Sequence, residues 1–437
     1  MSVKIDLFDI EYDNPTGVFY SGGTLKGRVL LNLQEPMIMR ALRLRLTGRA
    51  HTSWPDDGWQ VGPGGVTERV CCNAEEQYFD TVVTLYGHPP GKLGAESQRQ
   101  ATLSEGSHTF PFHYSLPNTC PTSFEGEYGN VRYMCKAVID IPWKTDYVAK
   151  RAFTIVRGYD LNNPPLASAA HSGMTMIGSS TQDLSTSPPS EPVSNEASQT
   201  VPAGCCCSSG GEINMRVSLQ KSGFVPGEHI PIWANVINNC GRTLKKIRAV
   251  LLQRARYRSK YRGSIRERTS YRRVAEVSTK EDLPARWALV WDQQFIHVPP
   301  LPPPIDNCSL IKVDYGLVFN AASMTVALPL CIGTVPLQTA FQVLRKQCET
   351  DFLDKTDPDR VPVDLLPLPE ELEKYSGMPP PCYGQDAFGE ISIRERADNE
   401  YVRGQLDFAP RYPYYSWPPK EFAFADDVDK LSVSVFM

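Results

Sequence analysis

Phe19-Tyr20-Ser21-Gly22-Gly23-Thr24-Leu25 leads into a run that closes on Leu42-Arg43-Leu44-Arg45-Leu46-Thr47-Gly48-Arg49-Ala50. Phe224-Val225-Pro226-Gly227-Glu228-His229-Ile230 leads into another, closing on Ile247-Arg248-Ala249-Val250-Leu251-Leu252-Gln253-Arg254-Ala255. One ungapped offset of 205 (227 − 22, and 254 − 49) relates the two. Along it Phe19/Phe224, Gly22/Gly227, Arg43/Arg248, Leu46/Leu251, Arg49/Arg254 and Ala50/Ala255 coincide. Both runs share one physical plan: a glycine turn, a strand, a polar gap and a second strand rich in apolar residues. A period this long belongs to two related domains in tandem rather than to a solenoid.

Working outward, the first half reads as short strands separated by turns. Val3–Ile10 alternates loosely, and Asn14-Pro15-Thr16-Gly17 turns the chain. Leu42, Leu44 and Leu46 share one face of the Ala41–Ala50 strand, with Arg43 and Arg45 on the other. Val131–Asp140 is a further strand. No long 3.6-residue period interrupts this half, so the expected fold is all-β, an antiparallel sandwich repeated once.

The totals agree. The chain has 437 residues, 41% apolar and 22% charged, with 37 Pro and 31 Gly, as a turn-rich β protein requires. A net charge of −4 points to no class of partner, and no apolar run is long enough for a transmembrane helix. Asp6 stands where a signal peptide needs an apolar core, so the twelve cysteines read as reduced, cytosolic thiols.

Several stretches carry a resemblance. Gly106–Phe112, Ser123-Phe124-Glu125-Gly126, Arg132-Tyr133, Pro142-Trp143-Lys144 and Asp160-Leu161-Asn162 resemble the N-terminal domain of the α-arrestins, the arrestin domain-containing proteins. Gly223–Glu228, Asn238-Asn239-Cys240, Val313-Asp314-Tyr315 and Leu328–Leu337 resemble their C-terminal domain. The resemblance implies two arrestin-like sandwiches, at 1–165 and 205–348, joined by a linker at 166–204 and followed by a tail at 349–437. It further implies an adaptor that recognises transmembrane receptor or transporter cargo. That adaptor would recruit a HECT-type ubiquitin ligase and work in the cytoplasm, peripheral to the plasma membrane and endosomes.

Ala167–Gly204 is Ser, Thr, Pro, Ala and Gln with few large apolar residues. Such composition cannot offset its ordering entropy, so the linker is expected to be disordered and the sandwiches to fold separately. Cys205-Cys206-Cys207 lacks the paired spacing of a zinc site, so no metal and no cofactor are expected, and the resemblance implies an inherited structural or acylated segment there.

In the second half Arg254, Arg256, Arg258, Lys260 and Arg262 occupy every second position. A strand would place all five on one face over about 27 Å. With Glu267 as the one local acid, the row predicts an anionic partner, either a lipid headgroup surface or a phosphorylated receptor tail. No nucleic-acid module accompanies it.

The tail holds Pro380-Pro381-Cys382-Tyr383, a PPxY ligand for a WW domain. Consecutive prolines preform the polyproline II helix, so Pro380 and Pro381 lie in an aromatic groove at little entropic cost while Tyr383 sets the register. Ala409-Pro410-Arg411-Tyr412, within Phe408–Tyr415, resembles a second, degenerate element of the family's tail in which alanine replaces the first proline, the alternative being a segment docked on the second sandwich through its dense aromatics. The seven histidines form no metal pair or nucleophile motif, and phosphate loops and dinucleotide fingerprints are missing, so no enzyme is expected. Two alternatives stay open. One is a redox-signalling binder resembling thioredoxin-interacting protein, although Asp282–Trp287 lacks the cysteine that member carries. The other is a coat-like sorting subunit with no need of Pro380–Tyr383.

Overall fold

The structure is a computed structural model. It describes residues 5–61, 67–88, 100–143, 145–164, 188–202, 210–261, 263–341, 374–375, 378, 380–395, 397–416 and 433–435. The Cys205–Cys207 cluster, Arg262, the first part of the linker and the acidic stretch before Lys374 lie outside the described residues.

In the N-terminal sandwich a sheet of Ile5–Tyr12, Thr24–Leu33 and Gly106–Ser115 faces a larger sheet of Thr67–Gly87, Ala41–Val61, Gly129–Asp140 and Tyr147–Val156. Alternation does what the sequence predicts. Leu42, Leu44 and Leu46 are buried opposite Ile139, Ala137 and Cys135, while Arg43 and Arg45 point outward to Asp140 and Asp80. Tyr12, Phe19 and Phe153 meet edge to face in the same core, with centroids 5.7–5.8 Å apart.

The C-terminal sandwich repeats the plan. Val193–Val201, Gly211–Leu219, His229–Asn238 and Trp287–His297 form one sheet, and Arg248–Tyr261, Ile311–Ala321 and Met324–Ile332 lie in the other. The 205-residue offset holds in three dimensions. Gly22 and Gly227 both turn with positive φ, +84° and +97°, which glycine adopts without a Cβ penalty. Phe19 and Phe224 are both buried on short parallel edge strands, one against Tyr147–Val156 and one against Met324–Ile332.

One expectation is corrected. The linker is ordered in part: Val193–Val201 pairs antiparallel with Gly211–Leu219 along its whole length. Its polar side chains are mostly exposed, so backbone hydrogen bonding at a sheet edge stands in for the apolar burial the composition lacks. The two halves also touch one another. The larger sheets join where Lys260 pairs with Asn73, and Arg157 bonds Asp306 at 3.1 Å. Arg272 donates to the Glu125 carbonyl at 2.9 Å, and Tyr128 stands edge-on to Tyr257.

Candidate functional site

The tail returns over both sandwiches as a strap. Cys382–Gln385 pairs antiparallel with Arg411–Tyr414, and Val402–Gln405 adds parallel to the edge of Tyr147–Val156. Gly404 turns there with φ +95°, its Cα face against the Lys150 backbone, where a Cβ would lie 2.3 Å from the carbonyl oxygen.

Small apolar clusters fasten the strap. Ile393 and Phe408 cover Met134 and Ala152, while Tyr383 and Tyr412 cover Val18, Tyr20 and Val156. Tyr415 seats on Tyr159, Leu161, Val225 and Leu337. Polar locks accompany each. The Tyr412 hydroxyl donates to the Ser123 carbonyl at 2.9 Å and that of Tyr415 to the Thr334 carbonyl at 2.7 Å. Lys150, whose side chain is wholly buried, donates to Glu395 at 2.7 Å and to Asp398 at 2.6 Å. Burial works to raise the pKa of Asp398, but the Lys150 hydrogen bond and the Glu395 N–H prevail and hold it below its ordinary value.

Asp386 is the opposite case. It is buried beside the Arg411–Tyr414 strand, its N–H donating to the Pro410 carbonyl. Desolvation pushes its pKa up to about 7, aided by Glu125 and opposed by Arg272 and the backbone N–H of Phe388.

The structure places the residues singled out in the sequence as follows. Pro381 is buried and Pro380 half-buried; Tyr383 is half-buried, with its hydroxyl 3.0 Å from that of Tyr20. Cys382, between them, is exposed. The motif is therefore strand at its tyrosine end rather than a dangling extended tail. Pro410 and Tyr412, the degenerate element, belong to the packed body: Pro410 is buried and Tyr412 is 0% exposed. The element is docked in this fold, its tyrosine ring inserted among Val18, Tyr20 and Val156.

The cationic row is neutralised in part by acids that the fold brings to it. Arg254, at 7% exposure, makes a two-pronged pair with Asp314, its partner across the Ile311–Ala321 strand, at 2.7 and 2.9 Å. Arg256 reaches the same carboxylate at 3.3 Å, and Arg258 bonds Glu267. Arg258 and Lys260 both stay exposed. Asp314 was invisible as an offsetting charge because sixty residues separate it from Arg254. Lys150, Glu395, Asp398 and Asp386 went unnoticed for the same reason: no local spacing marks a carboxylate that finds its lysine by docking.

Among the described residues, no group of three or more histidine, cysteine, aspartate or glutamate side chains is arranged to hold a metal ion, and no helix is long and apolar enough to cross a membrane.

Two sandwiches related by a sequence repeat and locked through a shared polar interface define an arrestin-type architecture. Residues 8–162 match the family described as arrestin (or S-antigen), N-terminal domain, and residues 209–337 match its C-terminal domain. Arrestin domain-containing protein 17 of Caenorhabditis elegans is 26% identical over an alignment covering 95% of this chain and 100% of that protein. Arrestin domain-containing protein 4 of Mus musculus is 30% identical, covering 74% of this chain and 70% of its own. The Homo sapiens protein of the same name is also 30% identical, with the same coverage. The chain belongs to the arrestin domain-containing family.

Proposed function

We propose that this protein is an adaptor that couples membrane cargo to a WW-domain HECT-type ubiquitin ligase, with Pro380, Pro381 and Tyr383 as the recruiting residues. The observation that carries the reading is the PPxY sequence lying on a strap that both arrestin sandwiches hold. Such a placement ties ligase position to the body that would carry cargo. The sandwiches supply broad outer sheet faces for that cargo, a transmembrane receptor or transporter. Lys260 and Arg258, with the partly exposed Arg256, supply attraction to an anionic lipid surface. The protein then acts at the cytoplasmic side of the plasma membrane and endosomes, in endocytosis and sorting, without chemistry of its own.

A second reading has one observation in its favour. Tyr383 has a structural use against Tyr20, so the motif serves a coat-like sorting subunit that recruits no ligase. Affinity capture separates the two. The adaptor reading expects HECT-type ligases with wild-type protein and their loss with Tyr383→Ala; equal recovery from both would leave the sorting subunit.

A further inference from the structure

The residues that would enter a WW domain are already engaged inside this chain. Tyr383 stands opposite Pro413, and Gly384 opposite Tyr412, in a two-stranded ladder. The Tyr383 ring packs on Val18, Tyr20, Val156 and Tyr412, three of which come from the N-terminal sandwich. Burial raises the Tyr383 pKa well above its ordinary value, the Tyr20 hydroxyl opposing, so the group is held as a neutral phenol. Gly384 lies so close to Pro300 of the C-terminal sandwich that a Cβ there would come within 2.4 Å of its ring. The strand therefore fits only with a glycine behind the tyrosine, and it touches both sandwiches.

A WW domain needs the same tyrosine ring in its own pocket and the preceding prolines laid along its groove. One ring cannot fill two pockets. Pro381 is buried in the docked strap, so the groove face of the motif is withheld together with the tyrosine.

Resting on the ligase-recruitment reading, we propose that the N-terminal sandwich carries an internal receptor for the chain's own PPxY tyrosine, lined by Val18, Tyr20 and Val156, and that a WW domain must displace Tyr383 from it. The strap's other fastenings set how often the motif is available. Lys150 with Glu395 and Asp398 holds it on one side of the motif's partner strand, and Tyr415 in its cluster on the other. Binding weakens in proportion to the fraction of molecules whose strap is undocked. Anything that loosens Glu395 or Asp398 strengthens ligase recruitment without touching the motif, and loosening Tyr412 does so from the partner strand.

Calorimetric titration of an isolated PPxY-binding WW domain tests this. The four partners are a synthetic 374–388 peptide, the full chain, the full chain with Tyr412→Ala, and the full chain with Glu395→Gln and Asp398→Asn. The full chain is expected to bind at least about tenfold more weakly than the peptide, and both variants to recover most of that gap. The paired carboxylate variant lies away from the Tyr383 pocket and covers the case in which Tyr412→Ala misfolds. A full chain that matches the peptide overturns the internal receptor while leaving recruitment intact. A weak full chain whose affinity neither variant improves also overturns it, because the strap's fastenings would then not govern access. A peptide that fails to bind refutes the recruitment reading itself, and the competition with it.

Discussion

Replacing Asp398 with alanine should release the strap while leaving both sandwiches folded. The Asp398 carboxylate accepts two hydrogen bonds, from the buried Lys150 ammonium at 2.6 Å and from the Glu395 N–H at 2.9 Å. Each involves the charged carboxylate, and such a bond contributes about 1.5–3 kcal/mol. Glu395 remains to hold Lys150, which keeps the loss at the lower end of the two together, about 3 kcal/mol. That corresponds to roughly 150-fold in the opening equilibrium of the strap. Native-state hydrogen exchange reads it directly. The amides of Val402–Gln405 and Cys382–Gln385 should exchange faster by that factor in Asp398→Ala, while those of Thr24–Leu33 and Gly129–Asp140 keep their rates. The sign with pH follows from the docked pKa of Asp398 lying below its ordinary value. The lock is complete above the usual carboxylate pKa near 4 and is lost as pH falls through the depressed value, so acid should loosen the wild-type strap and act less on the variant. Unchanged exchange across the strap, or equal acceleration in the sandwiches, would refute the idea that this carboxylate fastens a separately opening element.

Other consequences are as specific. Asp386, with its pKa lifted from 3.8 to about 7 by burial, contributes stability below pH 4 that disappears as pH rises to about 7. Asp386→Asn should therefore raise the melting temperature relative to wild type at pH 8 and much less at pH 4.5, with a ceiling of roughly 4 kcal/mol; equal shifts at both values would contradict it. Gly227→Ala should destabilise by more than the roughly 1–3 kcal/mol of a strained positive-φ residue, because its Cβ would press into the Tyr415 carbonyl oxygen. Gly263→Ala, at φ +81° with open space around it, should lose only the strain, and thermal melts of the two measure the difference. On anionic liposomes, Lys260→Glu should reduce sedimentation more than Arg254→Gln, since Lys260 is exposed and Arg254 is buried on Asp314. Each exposed cation contributes on the order of 1 kcal/mol there, and binding should fade with salt.

The sequence by itself determined the sandwiches. Period-two alternation at Leu42, Leu44 and Leu46 needs only the pleat to become a buried face. The glycines at 22 and 227 need only their missing Cβ to become matched turns. These are local rules, and a repeat at a constant offset writes them twice. The tertiary structure alone decided which charges are spent and which surfaces are covered. Arg254 looked available until the register set Asp314 opposite it. Val193–Val201 looked unfoldable until a sheet edge offered it hydrogen bonds. Tyr383 and Tyr412 read as ligands for another protein, and the fold turned both toward this one. In each case the partner lies tens to hundreds of residues away. Its effect comes from burial and contact geometry, which no window of sequence contains, and the same burial that hides Tyr412 entirely covers Tyr383 less completely.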